Sequence, residues 1–481
     1  MSRFFSINLH QMRLLPTDPT LWIDSDDLIF YILSIVDVLN LSGFYKQQSP
    51  SNWGGKGYDP KTLLTIILMG YSEGHRHTRD IEAFCKNDIR LRSYLGDLIP
   101  DHSTISRFLS QFSAEIEELF DQVVSYLIQE KVIDTSVIAV DGTKIKANAS
   151  LESNKTHVSI TKKVEQLKKQ MSEYKSACQG LCNCDNTPNH SSYHKMEEKL
   201  ERLELAKQKI EGQHYENVKE YELKKAERER IESETGKKIR GRKLSVISGD
   251  KVDPKLRCNT TDPESLIQKD RKGYLQGYNA QAAVSKNHYI IAADLVSDQN
   301  DLHQLSPMVK QITDSMMRND INPISTVILA DAGYCVYQEM PELFELGVDL
   351  YIPSKKEWKI EISTSNGLFT LDIGDIPITG LNMYPGKLAI YGEFVYREWM
   401  NENRECDNSE IIHDIMEAKI TSPSGRDEYR ARKYIVESIF GYIKEGMKYF
   451  SFLRRGIDKC KSEWKLICTC YNIKRAWKKS L

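Results

Sequence analysis

The 481-residue chain has almost no excess charge, no membrane-length apolar run and no compact cysteine framework. Its 66 Lys and Arg against 68 Asp and Glu leave a formal net charge of −2, which excludes a uniformly basic DNA-coating protein and a disordered acidic tail. The best apolar candidate, residues 28–41, is interrupted by Asp37. Because ten cysteines are scattered and the N-terminus lacks a signal-peptide pattern, we expect a cytoplasmic protein with free thiols.

Residues 1–133 have helical spacing and no strand pattern. Asp59 precedes Pro60, and Asp101 precedes a run with apolar residues at helical intervals, so each aspartate is predicted to cap a helix. The sequence therefore predicts an all-α N-terminal domain. The segment from Ser103 to Phe112 also fits the second helix of a helix-turn-helix, although any packed helix can carry the same pattern.

Strand patterns begin after this region. A β-branched apolar run, Val137–Val140, ends in Asp141, and residues 325–330 form a similar run that ends in Asp331. Other strands are predicted at residues 277–284, 289–295 and 348–352, and a helix is predicted at 304–316. Strands alternating with helices indicate an α/β layer fold.

Two segments interrupt this pattern. Residues 155–259 are rich in charge and carry apolar residues at heptad-like intervals, which predicts a helical hairpin followed by a basic arm at 236–243. Cys178, Cys182 and Cys184 lie at its tip, but their spacing matches no standard zinc signature, so solvated thiols are favoured over a metal site. Residues 356–419 contain alternating patches that predict a small β-rich insertion.

Carboxylates at the ends of two strands point to a catalytic site. Asp141 and Asp331 are expected to converge, because the carboxyl ends of strands meet at one edge of an open α/β sheet. Glu437 is the candidate third acid, on a helix whose same face carries Arg430, Lys433 and Lys444. Three carboxylates without paired His or Cys favour Mg²⁺ or Mn²⁺ over zinc, and such ions support phosphodiester chemistry.

The last segment of the chain is strongly basic. From Arg430 to Leu481 there are 14 Lys and Arg against four acids, interleaved with aromatic residues. A near-neutral chain with such a segment is typical of a protein that holds nucleic acid along one face. The sequence gives the following candidate DNA contacts: Arg430, Lys433, Lys444, Arg454, Arg455, Lys237, Lys238, Arg240, Arg242 and Arg107.

Four motifs in this order resemble a known family. Val137-Ile138-Ala139-Val140-Asp141-Gly142-Thr143, Gly277-Tyr278-Asn279-Ala280-Gln281, Leu329-Ala330-Asp331-Ala332-Gly333-Tyr334 and Val436-Glu437-Ser438-Ile439-Phe440-Gly441 closely resemble bacterial insertion-sequence transposases of the DDE type. Asp101-His102-Ser103-Thr104-Ile105-Ser106-Arg107-Phe108 is similar to the end of their helical N-terminal domain. The resemblance covers nearly the whole chain.

The resemblance implies an RNase H-like mixed sheet flanked by helices, with Asp141, Asp331 and Glu437 as the metal-binding catalytic triad. It implies Mg²⁺-dependent cleavage at terminal inverted repeats and strand transfer into target DNA. It also implies a homo-oligomer on double-stranded DNA, without membrane or nucleotide cofactor, at the nucleoid. The expected domains are 1–133 for DNA binding, 134–154 with 260–355 and 420–481 for the catalytic core, 155–259 for the helical insertion and 356–419 for the β-rich insertion.

One signature of the family is matched only in part. Relatives carry Tyr, Arg, Glu and Lys around the last acid, and this chain has Arg430, Lys433, Glu437 and Lys444 at those positions. Tyr429 and Arg432 stand one residue early. The roles of the cations that flank Glu437 are therefore less defined than those of the three acids.

Several alternatives remain open from the sequence. Glu437 also fits a salt bridge with Lys433, and Asp294, Asp298 and Asp301 are rival acids, which we rank as turn residues or as residues that support the site. A metal-dependent endonuclease that does not join DNA, or an inactive DNA-binding regulator, would carry the same motifs. An ATP-driven motor is disfavoured, because the sequence has no Gly-x4-Gly-Lys-Ser/Thr loop.

Overall fold

The computed structural model describes residues 23–46, 57–179, 190–235, 251–270, 273–324, 326–336, 339–353 and 423–481, with the short pieces 362–364 and 367–369 and positions 416 and 420. The basic arm at 236–243 lies outside these residues. Of the predicted β-rich insertion, the described part is a short antiparallel pair, β9 (Ile362–Thr364) with β10 (Gly367–Phe369).

The N-terminal region is helical wherever it is described. Four of its helices begin at an aspartate whose carboxylate accepts a hydrogen bond from a backbone N–H of the first turn: Asp27, Asp59, Asp88 and Asp101. The predicted starts at Asp59 and Asp101 are thus confirmed. The helices are α1 (Leu28–Val38), α2 (Ser42–Lys46), α3 (Pro60–Ser72), α4 (Thr78–Asn87), α5 (Ile89–Leu95), α6 (His102–Gln111) and α7 (Ser113–Gln129).

A mixed sheet follows, with β1 (Val137–Lys146) at its centre. β1 pairs in parallel with β7 (Val327–Leu329) and antiparallel with β5 (Gly273–Ser285). β8 (Asp349–Tyr351) extends the sheet beyond β7 in parallel. The mixed α/β class predicted from the sequence is therefore confirmed. The remaining elements of this part are β4 (Leu266–Asp270) and β6 (Ile290–Val296) on the far edge of β5, α10 (Leu305–Met317) and α11 (Met340–Glu345).

The charged segment after β1 forms a long helical hairpin. α8 (His157–Gln179) packs against α9 (His190–Thr235), and a short strand pair, β2 (Asn154–Thr156) with β3 (Arg257–Asn259), joins its base. The predicted apolar stripes meet in a small core of their own, which is separate from the main core. The buried residues of this small core are Ile160, Val164, Leu167, Met171, Leu203, Ala206, Ile210 and Cys258.

Two C-terminal helices complete the fold. α12 (Pro423–Gly441) runs into a π-helical turn, Tyr442–Gly446, and crosses β1, whereas α13 (Ile457–Ser480) lies between the N-terminal helices and the sheet. Asn472 on α13 accepts a hydrogen bond from the backbone N–H of Ile290 and donates one to the carbonyl of the same residue. The side chain of Asn472 thus provides hydrogen-bond partners for the backbone at the start of β6. Among the described helices, none is both long and apolar enough to cross a bilayer.

Candidate active site

Asp141 and Asp331 belong to neighbouring segments at the centre of the sheet. β1 and β7 are parallel, with Ala139 opposite Leu329; Asp141 lies two residues further along β1, and Asp331 comes two residues after the end of β7. Their carboxylates interact electrostatically. The prediction that the first strand ends at Asp141 is wrong: β1 continues to Lys146, because residues 141–146 remain paired with β5, so Asp141 lies within the strand. Asp331 follows β7 as predicted, and the convergence of the two carboxylates stays a prediction.

A third carboxylate, Asp301, lies beside this pair. Its Oδ1 accepts hydrogen bonds from Asn279 Nδ2 at 2.7 Å and from Gln281 Nε2 at 2.8 Å, and the Tyr334 hydroxyl donates to Gln281 Oε1. Gly142 makes room for this network: a Cβ atom there would lie 2.5 Å from Gln281 Nε2 and 2.7 Å from Asp301 Oδ1. The glycine that follows Asp141 therefore allows Gln281, Asp301 and Asn279 to pack closely against β1.

Arg432 on α12 forms an ion pair with Asp141. Its Nη1 donates to Asp141 Oδ2 at 3.0 Å, and its guanidinium lies over the ring of Tyr429 with 5.9 Å to the centroid. The side chains of Arg432 and Asp141 are only 15% and 21% exposed. The cation of α12 that reaches Asp141 is thus Arg432, whereas Arg430 is exposed and pairs with Asp427, and Lys433 is exposed.

The surroundings of Asp141 disfavour the ionised form of its carboxyl group. Burial raises the pKa of the Asp141 carboxyl to about 6, and the charges of Asp331 and Asp301 act in the same direction. Arg432 and the N–H of Gly142 oppose this shift but do not cancel it. An additional positive charge beside Asp141 would therefore be favoured electrostatically.

Glu437 lies on the same helix as Arg432, and its side chain is exposed. Lys444, two helical turns beyond it, is anchored on β1: its Nζ donates to Thr143 Oγ1 at 2.6 Å and to the Lys144 carbonyl at 3.1 Å. α12 and its π turn are thereby attached to β1 on both sides of Glu437, through Arg432 and through Lys444. Within the described residues, no three His, Cys, Asp or Glu side chains form a group that could hold a metal ion as they stand.

The side chains around Asp141 are of the chemical type that binds a hard divalent cation. Asp141, Asp331 and Asp301 offer carboxylate oxygens, the ligands that Mg²⁺ prefers. Asn279 Oδ1 is buried beside them and has no hydrogen-bond partner among the residues described. Neither thiol nor imidazole belongs to this group, so the residues present suit magnesium or manganese better than zinc.

The remaining predicted DNA contacts have different surroundings. Arg454 donates to Ser113 Oγ at 2.9 Å and lies beside the buried Glu463, so it joins the C-terminal region to α7. Arg455 donates to the Asn148 carbonyl and remains exposed, as does Arg107 on α6. The predicted contacts and thiols that lie outside the described residues are Lys237, Lys238, Arg240, Arg242, Cys182 and Cys184; the side chain of Cys178 is also outside them.

Glu463 is an acid that sequence reasoning did not single out. Its carboxylate accepts hydrogen bonds from the backbone N–H groups of Leu453 and Arg454, and burial raises its pKa to about 7. It holds the loop between the π turn and α13. Nothing in the helical pattern around Glu463 indicated that it would be buried. Arg432, in contrast, could be noticed in the sequence, because it stands one residue before the position that the family signature gives to arginine.

Two family models match the chain. One is described as a Transposase domain (DUF772) and matches residues 20–111, and the other is described as a Transposase DDE domain and matches residues 256–473. A search of curated proteins and a search of solved structures gave no match. The first model covers most of the N-terminal helices, and the second covers Asp331, Arg432 and Glu437. The chain belongs to the insertion-sequence transposases of the DDE type, enzymes that cut DNA and transfer its strands.

Proposed function

We propose that this transposase cuts DNA at the terminal inverted repeats of its element and joins the freed 3′ ends to target DNA in a Mg²⁺-dependent reaction. The observation that carries the proposal is that Asp141 on β1 interacts electrostatically with Asp331, which follows the parallel strand β7, while α12 and its π turn supply Arg432 and Lys444. An acidic pair in the middle of a sheet, covered by cations, suits a reaction in which a metal ion and a phosphodiester meet.

Asp141, Asp331 and Glu437 are the residues that we propose as ligands of the divalent cation. The first two interact electrostatically, and the helix that carries Glu437 is attached to β1 on both sides of it, by Arg432 and Lys444. When bound, the cation would activate the attacking water or hydroxyl and stabilise the leaving oxygen of an in-line phosphoryl displacement. Asp301, held by Asn279 and Gln281, keeps the surroundings of Asp141 acidic and so favours cation binding.

Arg432 and Lys444 are proposed to position the substrate. A guanidinium binds phosphate oxygens in a forked geometry, so a phosphodiester at the site can replace Asp141 as the partner of Arg432. Burial lowers the pKa of Lys444, and a phosphate nearby would favour its charged form. Arg430 and Lys433, which are exposed on the same helix, remain proposed contacts to more distant phosphates.

The domain division is part of the same proposal. We infer an RNase H-like core from residues 134–154, 260–355 and 420–481, and the central β1 with its parallel neighbours and covering helices supports this. The hairpin of α8 and α9 leaves the sheet between β1 and β5 and has its own small core, as an insertion would. Residues 1–133 are proposed to recognise the element ends, and residues 356–419 to form a second insertion. Because two ends must be joined, we expect a homo-oligomer on DNA.

The test is a strand-transfer assay with a labelled linear duplex that carries the element end. We expect cleavage at the end and joining to a target plasmid with Mg²⁺ or Mn²⁺, and neither product in EDTA. Asp141→Asn, Asp331→Asn and Glu437→Gln should each lose both products and keep end binding, whereas Arg430→Ala should keep both. Cleavage without joining would identify an endonuclease instead, and binding without either product would identify a regulator.

A further inference from the structure

A cavity of about 450 Å³ lies at the outer side of α12, between that helix, the β5–β6 turn and the end of α13. α13 contributes four cations to it, Lys474, Arg475, Lys478 and Lys479, and α12 contributes Tyr434 and Ser438. We refer to this site as the basic cavity. The residues that line it in the described structure include no carboxylate.

The cations of the basic cavity are only partly neutralised. Lys474 lies 3.8 Å from Glu73 and donates to the Ser72 carbonyl, and Arg475 donates through Nε to the carbonyl of Asn287. Lys478 and Lys479 are exposed and lie over aromatic rings, without an ion pair to any residue in the described ranges. Burial together with the neighbouring Arg475 lowers the pKa of Lys479, as expected where positive charges crowd without a counter-ion. An anion would relieve this crowding.

The donors around the cavity suit phosphate oxygens. Lysine and arginine provide charge, and the hydroxyl of Tyr434 can donate a hydrogen bond to the same group, whereas the hydroxyl of Ser438 donates to the Tyr434 carbonyl. Asn and Gln, which read adenine in the major groove, do not line it in the described structure, and the Nε of Arg475 is already bound to Asn287. Contacts of this kind fix a DNA backbone without reading its sequence.

The basic cavity lies on the side of α12 opposite Asp141. Arg432 and Tyr434 are two residues apart on α12 and so point to nearly opposite sides of the helix, the first toward Asp141 and the second into the cavity. A helix with its side chains is about 10–12 Å across. A phosphate in the cavity is therefore separated by a helix from the phosphodiester at Asp141.

From these observations we propose that the basic cavity binds the sugar–phosphate backbone of a DNA duplex that is chosen without regard to sequence, namely the target DNA. This rests on the proposed function in one respect, which is that strand transfer requires a target. The backbone binding itself needs neither metal nor catalysis, so it is measured separately from the reaction.

The experiment compares the full-length double variant Lys478→Ala/Lys479→Ala with the matched control Lys131→Ala/Lys310→Ala, which removes two exposed lysines elsewhere. Anisotropy of a random-sequence duplex is measured in EDTA over a salt series. We expect roughly tenfold weaker binding in about 0.1 M salt and a salt slope reduced by up to about 2 for the double variant, and little change for the control. With Mg²⁺, joining to a target plasmid should fall by a similar factor while end cleavage stays within about twofold.

A second variant guards against loss of folding. Ser438→Asp places a negative charge at the exposed wall of the cavity without removing a buried group, and it should weaken random-duplex binding in the same direction. Unchanged binding in both variants would overturn the proposal, as would an equal fall in the control. A loss confined to element-end DNA would also overturn it, because it would indicate sequence-specific recognition. If random-duplex binding falls as expected but no joining occurs even in the wild type, the proposed function fails while the backbone site stands.

Discussion

Arg432 Nη1 lies 3.0 Å from Asp141 Oδ2, so a side-chain cation already occupies one oxygen of the carboxylate that we propose as a metal ligand. Asp141 Oδ1 accepts from the N–H of Gly142. Metal binding at Asp141 must therefore compete with Arg432. The same competition would connect metal binding with substrate binding, because a phosphate that draws Arg432 away exposes the carboxylate.

Removing Arg432 should separate metal binding from catalysis. A charge-assisted hydrogen bond contributes about 1.5–3 kcal/mol, so Arg432→Ala should bind Mn²⁺ roughly tenfold more tightly than the wild type without DNA. The same variant should lose end cleavage, since the phosphate loses its guanidinium partner. Calorimetric titration with Mn²⁺ and the end-cleavage assay measure the two effects.

The matched control is Arg430→Ala, because Arg430 is exposed and pairs only across the helix surface with Asp427. It should leave Mn²⁺ affinity unchanged. If Arg430→Ala and Arg432→Ala gave equal affinities, the competition inferred here would not exist.

Gly142→Ala should damage the site through its packing. The added methyl would lie within 2.8 Å of Gln281, Asp301 and Asn279, so the network around Asp301 must move. We expect a loss of about 1–3 kcal/mol in the free energy of unfolding and a large loss of cleavage. Gly212→Ala in α9 is the control, because a Cβ atom there meets nothing within 4 Å. A wild-type melting temperature for Gly142→Ala would show that the network is looser than described.

Glu463 should make stability depend on pH. Because burial raises its folded-state pKa from 4.5 to about 7, its contribution to stability is fully present below pH 4.5 and is lost as the pH rises through 7. Compared with Glu463→Gln, the wild type should lose about 2–3 kcal/mol between pH 5 and pH 8. The apparent melting temperatures of both proteins over this range provide the measurement. A wild type that gained stability relative to Glu463→Gln with rising pH would show instead that Arg454 dominates the site.

The helical hairpin should unfold independently of the catalytic sheet when its small core is weakened. Ile210→Ala removes a buried contact between α9 and α8, which costs about 2–5 kcal/mol in a packed site. Hydrogen exchange should accelerate in α8 and α9 and stay unchanged in β1. Leu223→Ala, at a residue of α9 that is 64% exposed, should leave both regions unchanged. Faster exchange in β1 as well would show that the hairpin and the sheet unfold together.

The sequence predicted most of the sheet because buried strands have strong apolar patterns. β4 was missed for a physical reason: only Gln268 of its five residues is buried, so it has no hydrophobic pattern to detect. The convergence of Asp141 and Asp331 was predicted from strand order alone. The choice among Arg430, Arg432 and Lys433 could not be predicted in that way, because the rotation of α12 about its axis is set by packing against β1, a contact between residues almost 300 positions apart. The burial of Glu463 likewise depends on a distant loop.

The most direct test of the central claim, that Asp141, Asp331 and Glu437 hold one divalent-cation site, is iron-directed cleavage of the protein backbone. Fe²⁺ replaces Mg²⁺ in the complex with element-end DNA, and ascorbate with peroxide then generates radicals that cut the chain near the bound ion. The account predicts cuts near residues 141, 331 and 437, all suppressed by excess Mg²⁺ and absent in Asp141→Asn. Cuts near 141 and 331 without any near 437, or cuts that persist in Asp141→Asn, would contradict it.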